Sequence, residues 1–461
     1  MSIPIKTQSV LFPEVFRKAL LAGFDEPHTS SDGGAVLVKA ADRRLGLTQR
    51  LASCLRDWRQ EGKVVHSLLD LLRQRIFGLA CGYEDCNDSA RLSDDPIQKL
   101  LLDRDPVDGD ALGSSPTLCR FENSADRVDL YRMGETLAET VVQRHRSRLN
   151  GKAKVITLDL DPTDDTTHGA QQLSFFNGHY DSWCYLPMVA TVQFDKESEM
   201  FALAAVLRPG NATAKVGAIG LLRRLLALLR KAFPEARIRV RLDGGYSAPE
   251  VLSFLDSQKK NKVDYIVGYA ENSVLLAKGV ATIDKARKEF EETGNKSTVY
   301  GECQYAAKSW KKKERRVIIK AEFIPYKGRE TKQNVRFVVT SLPGSPKHLY
   351  RRVYCGRGEM ENRLKELKQM GLGRTSCSSF LANQLRVLIS LAAYVLMQEV
   401  RFRAAGTMFA RAQVWILREK LFKVAVRVVS TARRFILHLP ADYPYKSGWL
   451  QIASSLAAGT S

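Results

Sequence analysis

The 461-residue chain contains the stretch YCGRGEMENRLKELKQMGLGR, which begins at Tyr354 and carries Arg357, Glu361 and Lys368. On a helix, Arg357, Glu361, Leu364/Lys365 and Lys368 fall on one stripe. Glu359 and Glu366 are rotated roughly 160° and 140° from Glu361 and are expected to face solvent or neighbouring loops. Upstream, LDLDPT places Asp159 and Asp161 on one face at the end of a strand, and LDGGY places Asp243 at the end of another. Three carboxylates without a partner histidine suit hard, oxygen-preferring cations, Mg²⁺ or Mn²⁺. Two such ions roughly 4 Å apart can activate a water or a 3′-hydroxyl and stabilise the leaving oxygen of a phosphodiester. Arg357, Lys365 and Lys368 would then hold phosphates. The plain structural alternative is a set of surface salt bridges at helical spacing.

The elements that must position these side chains are legible as patterns. Residues 1–150 read as a helical domain with charged loops. Within it, SSPTLCRFEN suggests a helix capped by Ser115 with Pro116 at its first position. Thr117 and Arg120 then lie near an exposed helix start, where helix-turn-helix proteins present polar residues to DNA; an ordinary capped helix is the alternative. Residues 151–271 read as strand, strand, strand, helix, strand, helix, strand: KVITLDLD, LPMVATVQF, MFALAAVL, a helix near 214–233, ARIRVRLDGGY, a helix opened by a Ser247/Glu250 capping box, and VDYIVGY. Asp164 and Asp165, past Pro162, read as loop. A hairpin meander extended by crossover helices gives a mixed sheet covered by helices, an α/β architecture. Residues 272–345 read as a mostly β insertion, and 346–461 as the Glu361 helix followed by C-terminal helices.

The chain has 71 Lys and Arg against 50 Asp and Glu, a net charge of +21. Such an excess favours a polyanionic partner, nucleic acid above all. The start MSIPIKTQSVLFPEV has no apolar signal core, and the longest apolar run, VLISLAAYVLM, is about half the length a bilayer span needs. A soluble cytoplasmic protein without a membrane partner is expected. Eight scattered cysteines and seven histidines form no zinc set. The acids of CGYEDCNDSARLSDDP lack the closing Glu of a calcium loop.

These residues together resemble the DDE transposases of bacterial insertion sequences. The branch that frees its ends through DNA hairpins carries a Tyr, Arg, Glu, Lys signature, matched by Tyr354, Arg357, Glu361 and Lys368. DPT upstream, DGGY after a strand and a β-rich insertion before the third acid extend the resemblance over nearly the whole chain. It implies a ribonuclease-H-like core in which the first and fourth strands are neighbours, so that their acids meet. It implies Asp161, Asp243 and Glu361 as catalytic metal ligands for two Mg²⁺ or Mn²⁺ ions. Asp161, in its Asp-x-Thr unit, is favoured as the first acid; Asp159 stays open as the alternative. Tyr354 would contact a phosphate near the cut, with a core tyrosine as the alternative. Trp310, beside Lys311, Lys312 and Lys313, would stack on a base flipped out of the helix, with a buried strand-edge tryptophan as the alternative. The activity implied is cutting at terminal inverted repeats and joining of 3′-hydroxyl ends to target DNA, by a homodimer on double-stranded DNA. A non-catalytic DNA-binding derivative and a metal-dependent nuclease without joining are the rival readings.

Overall fold

Apolar and polar residues alternate over VITLDLDP and form strand β1, Val155–Pro162. The chain is described over residues 15, 17, 18, 20–326 and 329–458 in a computed structural model, so MSIPIKTQSVLFPEV lies almost wholly outside the described residues. Two compact units are present: one comprises Leu45–Trp58 and Glu122–Gln398, the other Met1–Arg44, Arg59–Phe121 and Glu399–Ser461.

The larger unit is built on an eight-stranded mixed sheet. Its strands are β1, β2 (Met188–Phe194), β3 (Phe201–Val206), β4 (Arg237–Leu242), β5 (Val263–Tyr269), β6 (Ser297–Tyr305), β7 (Arg315–Tyr326) and β8 (Arg329–Thr340). The order is β6-β7-β8-β5-β4-β1-β2-β3. β1 runs parallel to β4, and β4 parallel to β5; β2 and β3 follow β1 as an antiparallel meander. The insertion is therefore no separate sheet. Phe337–Thr340 of β8 pair with β5, and β6 and β7 continue the same ladder outward.

Helix α1 (Arg127–Arg148) begins with a capping box between Asp126 and Asp129. α2 (Ala218–Ala232) and α3 (Pro249–Ser257) are the crossovers that make β1, β4 and β5 parallel. The capping box expected before α3 is not formed: Ser247 donates to the Gly244 carbonyl, and Glu250 pairs with Lys215. The insertion also opens with a long helix, α4 (Ser273–Thr293), where β structure was expected. Leu275, Gly279, Ile283 and Ala286 bury its inner face, and the Asn272 side chain caps it. α4 packs tightly on Gly301 of β6, where a Cβ would clash with Thr282 Oγ1. A short sheet of Asp165–Thr166, Phe175–Asn177 and Ser182–Tyr185 follows β1, so Asp165 belongs to a strand and not to a loop.

α5 (Gly358–Leu367) carries Glu361 and Lys365 of the stripe and α6 (Phe380–Arg403) follows it. α6 is the one helix among the described residues long and apolar enough to cross a membrane, and most of it is buried inside the protein. Within the larger unit its side chains cap the free edge of β3. Gln398 accepts from the Ala202 N–H at 2.9 Å and Gln384 from the Leu207 N–H at 2.6 Å.

The smaller unit joins segments from both ends of the chain. Lys423 Nζ donates to buried Asp32 at 2.6 Å and to the Tyr83 hydroxyl at 2.7 Å. Gly34 meets the Leu421 carbonyl so closely that no side chain fits. One C-terminal expectation is corrected here. Val426–Thr431 and Arg434–His438 are strands of a three-stranded sheet with Thr29–Ser30, not part of a helix. Alternating buried Val424, Val426 and Val428 set the period of two that a helical reading overlooked.

Candidate active site

β1 carries Asp159 and Asp161 on one face, and the parallel register sets Asp159 beside Arg241 of β4. Arg241 is buried and grips Asp159 bidentately, Nε to Oδ1 at 2.6 Å and Nη2 to Oδ2 at 2.9 Å. Its remaining nitrogen, Nη1, donates to the Val353 carbonyl at 2.7 Å. A Cβ on Gly356 would come 2.5 Å from that nitrogen, so a glycine is needed where this arginine passes. Burial pushes the Asp159 carboxyl up, and Arg241 opposes the shift. Both oxygens of Asp159 are therefore spent on a structural ion pair.

Two residues on, Asp161 reaches the end of β1 and meets a different arginine. Arg357 Nη2 lies 2.5 Å from Asp161 Oδ1 and 3.5 Å from Asp243 Oδ2. Asp243 follows β4 and caps the turn behind it, its Oδ1 accepting from the Gly245 N–H at 2.9 Å. The turn is tight because Gly244 and Gly268 pack against each other and the Tyr354 hydroxyl: a Cβ on Gly268 would sit 2.5 Å from that hydroxyl. The motif's tyrosine thus supports the Asp243 turn. Lys368 completes the stripe by pairing with Asp164 at 2.7 Å. In the protein alone, Arg357 and Lys368 hold acids where phosphate contacts were expected.

Burial and neighbouring acids both act on the carboxyls of this pocket. Burial pushes the Asp161 carboxyl up to about 7; Arg357 opposes this, and Asp243, Asp159 and Glu361 add to it. Glu361 is exposed on α5, close enough for Asp161 to feel its charge. Glu366 does not face solvent as expected: it is buried, accepts from the Tyr394 hydroxyl at 2.5 Å and pairs with Arg363 at 3.2 Å. Tyr180, which carried no signal in the sequence, stands near the same acids. Burial and Asp164, Asp161 and Asp243 push its phenol up to about 12.

Two carboxylates meeting on one cationic nitrogen, with no thiol or imidazole among them, fit a hard divalent cation in kind. The guanidinium of Arg357 stands in for that charge. Among the described residues no three acidic, histidine or cysteine side chains are gathered tightly enough to hold a metal. Glu361 would have to approach and Arg357 to withdraw.

A family model described as transposase DDE domain group 1 matches residues 12–460. The chain belongs to this DDE transposase family. Comparison with curated proteins finds no match. Trp310 of the transposase is buried, 4% exposed, between Tyr269 and Tyr305 at 5.2 and 5.3 Å and beneath the Arg315 guanidinium at 4.6 Å. The indole face is already covered, so the stacking expected of it is corrected to a packing role. Of its basic neighbours, Lys313 pairs with Asp256, whereas Lys311 and Lys312 are exposed in left-handed backbone, φ 53° and 65°. Lys365 is exposed on α5. Thr117 and Arg120 lie in the smaller unit, where Arg120 donates to Thr117 Oγ1 at 3.2 Å.

Behind the pocket, the Asp165 carboxyl is pushed up to about 7 by burial, against the hydrogen bonds it accepts from Thr375. A raised folded-state pKa means that the folded transposase holds this proton more tightly than the unfolded chain does. The resulting stabilisation is complete below about pH 4, the range of an unfolded carboxyl. It is lost as pH rises through about 7, as is that of Asp161. Asp165→Asn is expected to narrow the gap between urea midpoints measured at acid and alkaline pH. A gap equal to that of the wild type would exclude this account.

Proposed function

We propose that this transposase is a cut-and-paste enzyme with a ribonuclease-H-like core, and that Asp161, Asp243 and Glu361 are its catalytic acids. The observation that carries the reading is the convergence of Asp161 and Asp243, from the ends of adjacent parallel strands, on Arg357 of the spaced motif. The strand order β3-β2-β1-β4-β5 supports the ribonuclease-H-like core. Asp161 and Asp243, with Glu361 drawn in, would hold Mg²⁺ or Mn²⁺, which supplies activation of a water and stabilisation of the leaving oxygen.

The chain's own groups position the DNA. Arg357, released from the acids, binds the scissile phosphate, and Lys368 a neighbouring one. Water attacks that phosphorus, the bond to the 3′-oxygen breaks, and a 3′-hydroxyl is freed. That hydroxyl attacks the opposite strand to close a hairpin, a second water reopens it, and the 3′-end attacks target DNA. Each step exchanges one phosphodiester oxygen for another, so no covalent protein intermediate is needed. Two ends held together imply a dimer on DNA.

The test follows the products of a labelled transposon-end duplex incubated with Mg²⁺ and target plasmid on denaturing and native gels. Hairpin and joined species are expected. Cutting without hairpin or joining would reassign the protein to a metal-dependent nuclease, and binding without cutting to a DNA-binding derivative.

A further inference from the structure

The C-terminal hairpin of the smaller unit presents a cationic face that the chemistry above does not use. Register places Arg427 opposite His438, Val429 opposite Ile436 and Thr431 opposite Arg434. Alternation puts these six side chains on one face, and each is exposed or half-buried. The other face carries buried Val426 and Val428 and half-buried Ser430, which donates to Asp105 at 3.2 Å. Asp105 therefore borders its inner side, and Asp108 lines the same cavity beside the hairpin.

Residues 420–441 contain Lys420, Lys423, Arg427, Arg433 and Arg434 and no acid. Lys423 is committed to Asp32 and Lys420 lies over Tyr445. Arg427 has Glu26 at 3.7 Å, both well exposed, a pair of little strength. Arg433 sits in the turn, which is clasped on either side: Thr431 Oγ1 donates to the Arg434 carbonyl and accepts from the Arg434 N–H. The turn is thus held in one shape with its arginines outward.

We propose that this hairpin is a docking surface for double-stranded DNA, with Arg427, Arg433 and Arg434 contacting backbone phosphates. The inference rests on the reading of the protein as a DNA transposase and adds a contact outside the acid pocket. Thr29 and Ser30 pair only with Arg427 and Val426, so from Val428 to Leu437 the hairpin is a two-stranded ribbon, which fits the width of the major groove and brings the phosphates of both walls within arginine reach. A second copy of the chain is a poor occupant, because two such faces would set arginine against arginine. A duplex supplies the opposite charge along its whole length.

The experiment measures binding of the full chain to a labelled duplex of arbitrary sequence across a series of KCl concentrations. Each phosphate contact contributes about 0.9 to the slope of log affinity against log salt. Arg433→Ala/Arg434→Ala should lower the slope by about 2 and weaken binding at least about tenfold near 0.1 M salt. Arg433→Lys/Arg434→Lys should keep the wild-type slope, and both variants should keep the wild-type unfolding midpoint. An unchanged slope in the alanine variant overturns the proposal, as does an unchanged slope accompanied by a fall in sedimenting mass, which would make the face a contact between copies. Mg²⁺-dependent cutting by the same preparations separates the two readings. Wild type that cuts, with an unchanged slope in the alanine variant, overturns the hairpin alone. Wild type that binds through the hairpin and never cuts overturns the catalytic reading alone.

Discussion

Asp161→Asn is expected to reduce Mg²⁺-dependent cutting of a transposon-end duplex by at least about a thousandfold, the rate equivalent of several kcal/mol of transition-state stabilisation. The substitution keeps the size of the side chain and removes its charge. At the end of β1 that charge sits in a poor place for the folded protein alone. Burial, Asp243, Asp159 and Glu361 oppose ionisation, and Arg357 favours it. The same substitution should therefore leave the unfolding midpoint at pH 8 unchanged or raised. Lost activity with retained or increased stability is what a group kept for function and not for folding predicts. Cutting within a few-fold of wild type, or a matching loss of stability, would remove Asp161 from the catalytic set.

Two residues away the opposite result is expected. Asp159→Asn leaves Arg241 buried with a carbonyl in place of a carboxylate, and breaking a buried ion pair by removing one partner costs about 3–5 kcal/mol. The loss should appear as a lower urea midpoint and as reduced soluble yield. Cutting by the fraction that folds should stay close to that of wild type. Arg241→Met should also be damaging, because buried Asp159 loses its partner and must take up a proton to stay in the core. Replacing both residues with apolar side chains should recover much of the stability, since the pair's own desolvation is then also relieved. If the double replacement is as unstable as either single one, the pair is not the source of the effect. If Asp159→Asn instead folds normally and fails to cut, the two aspartates have been assigned the wrong way round.

This contrast shows where the sequence stops being legible. Strands β1 to β5 follow from short alternating or continuous apolar runs bounded by turn residues, and the helical stripe from spacing, because both are local properties of the chain. That Asp159 and Asp161 share a face was readable too. Which of them is consumed by a partner was not, because Arg241 comes from another strand and the pairing depends on register across a crossover. In RIRVRL the three arginines look alike. Only their depth in the sheet differs, from exposed Arg237 to buried Arg241. Trp310 misled for a related reason. Its flanking lysines suggested exposure, but the rings that cover it, Tyr269 and Tyr305, come from β5 and β6. The C-terminal valines misled because apolar residues spaced by two also recur at four, and a short amphipathic strand then imitates a helix.

The insertion's attachment carries a mechanical consequence. β6, β7 and β8 are hydrogen-bonded into the sheet that holds the acids, and the junction is the short ladder between Phe337–Thr340 and Ile266–Tyr269. Gly268 lies within that ladder, touching Gly244 and the Tyr354 hydroxyl. The projecting strands would therefore act on a load as a lever arm whose fulcrum is the Asp243 turn. If a bound duplex bent the outer hairpin, the load would arrive as torsion at the point where Asp243, Arg357 and Asp161 meet.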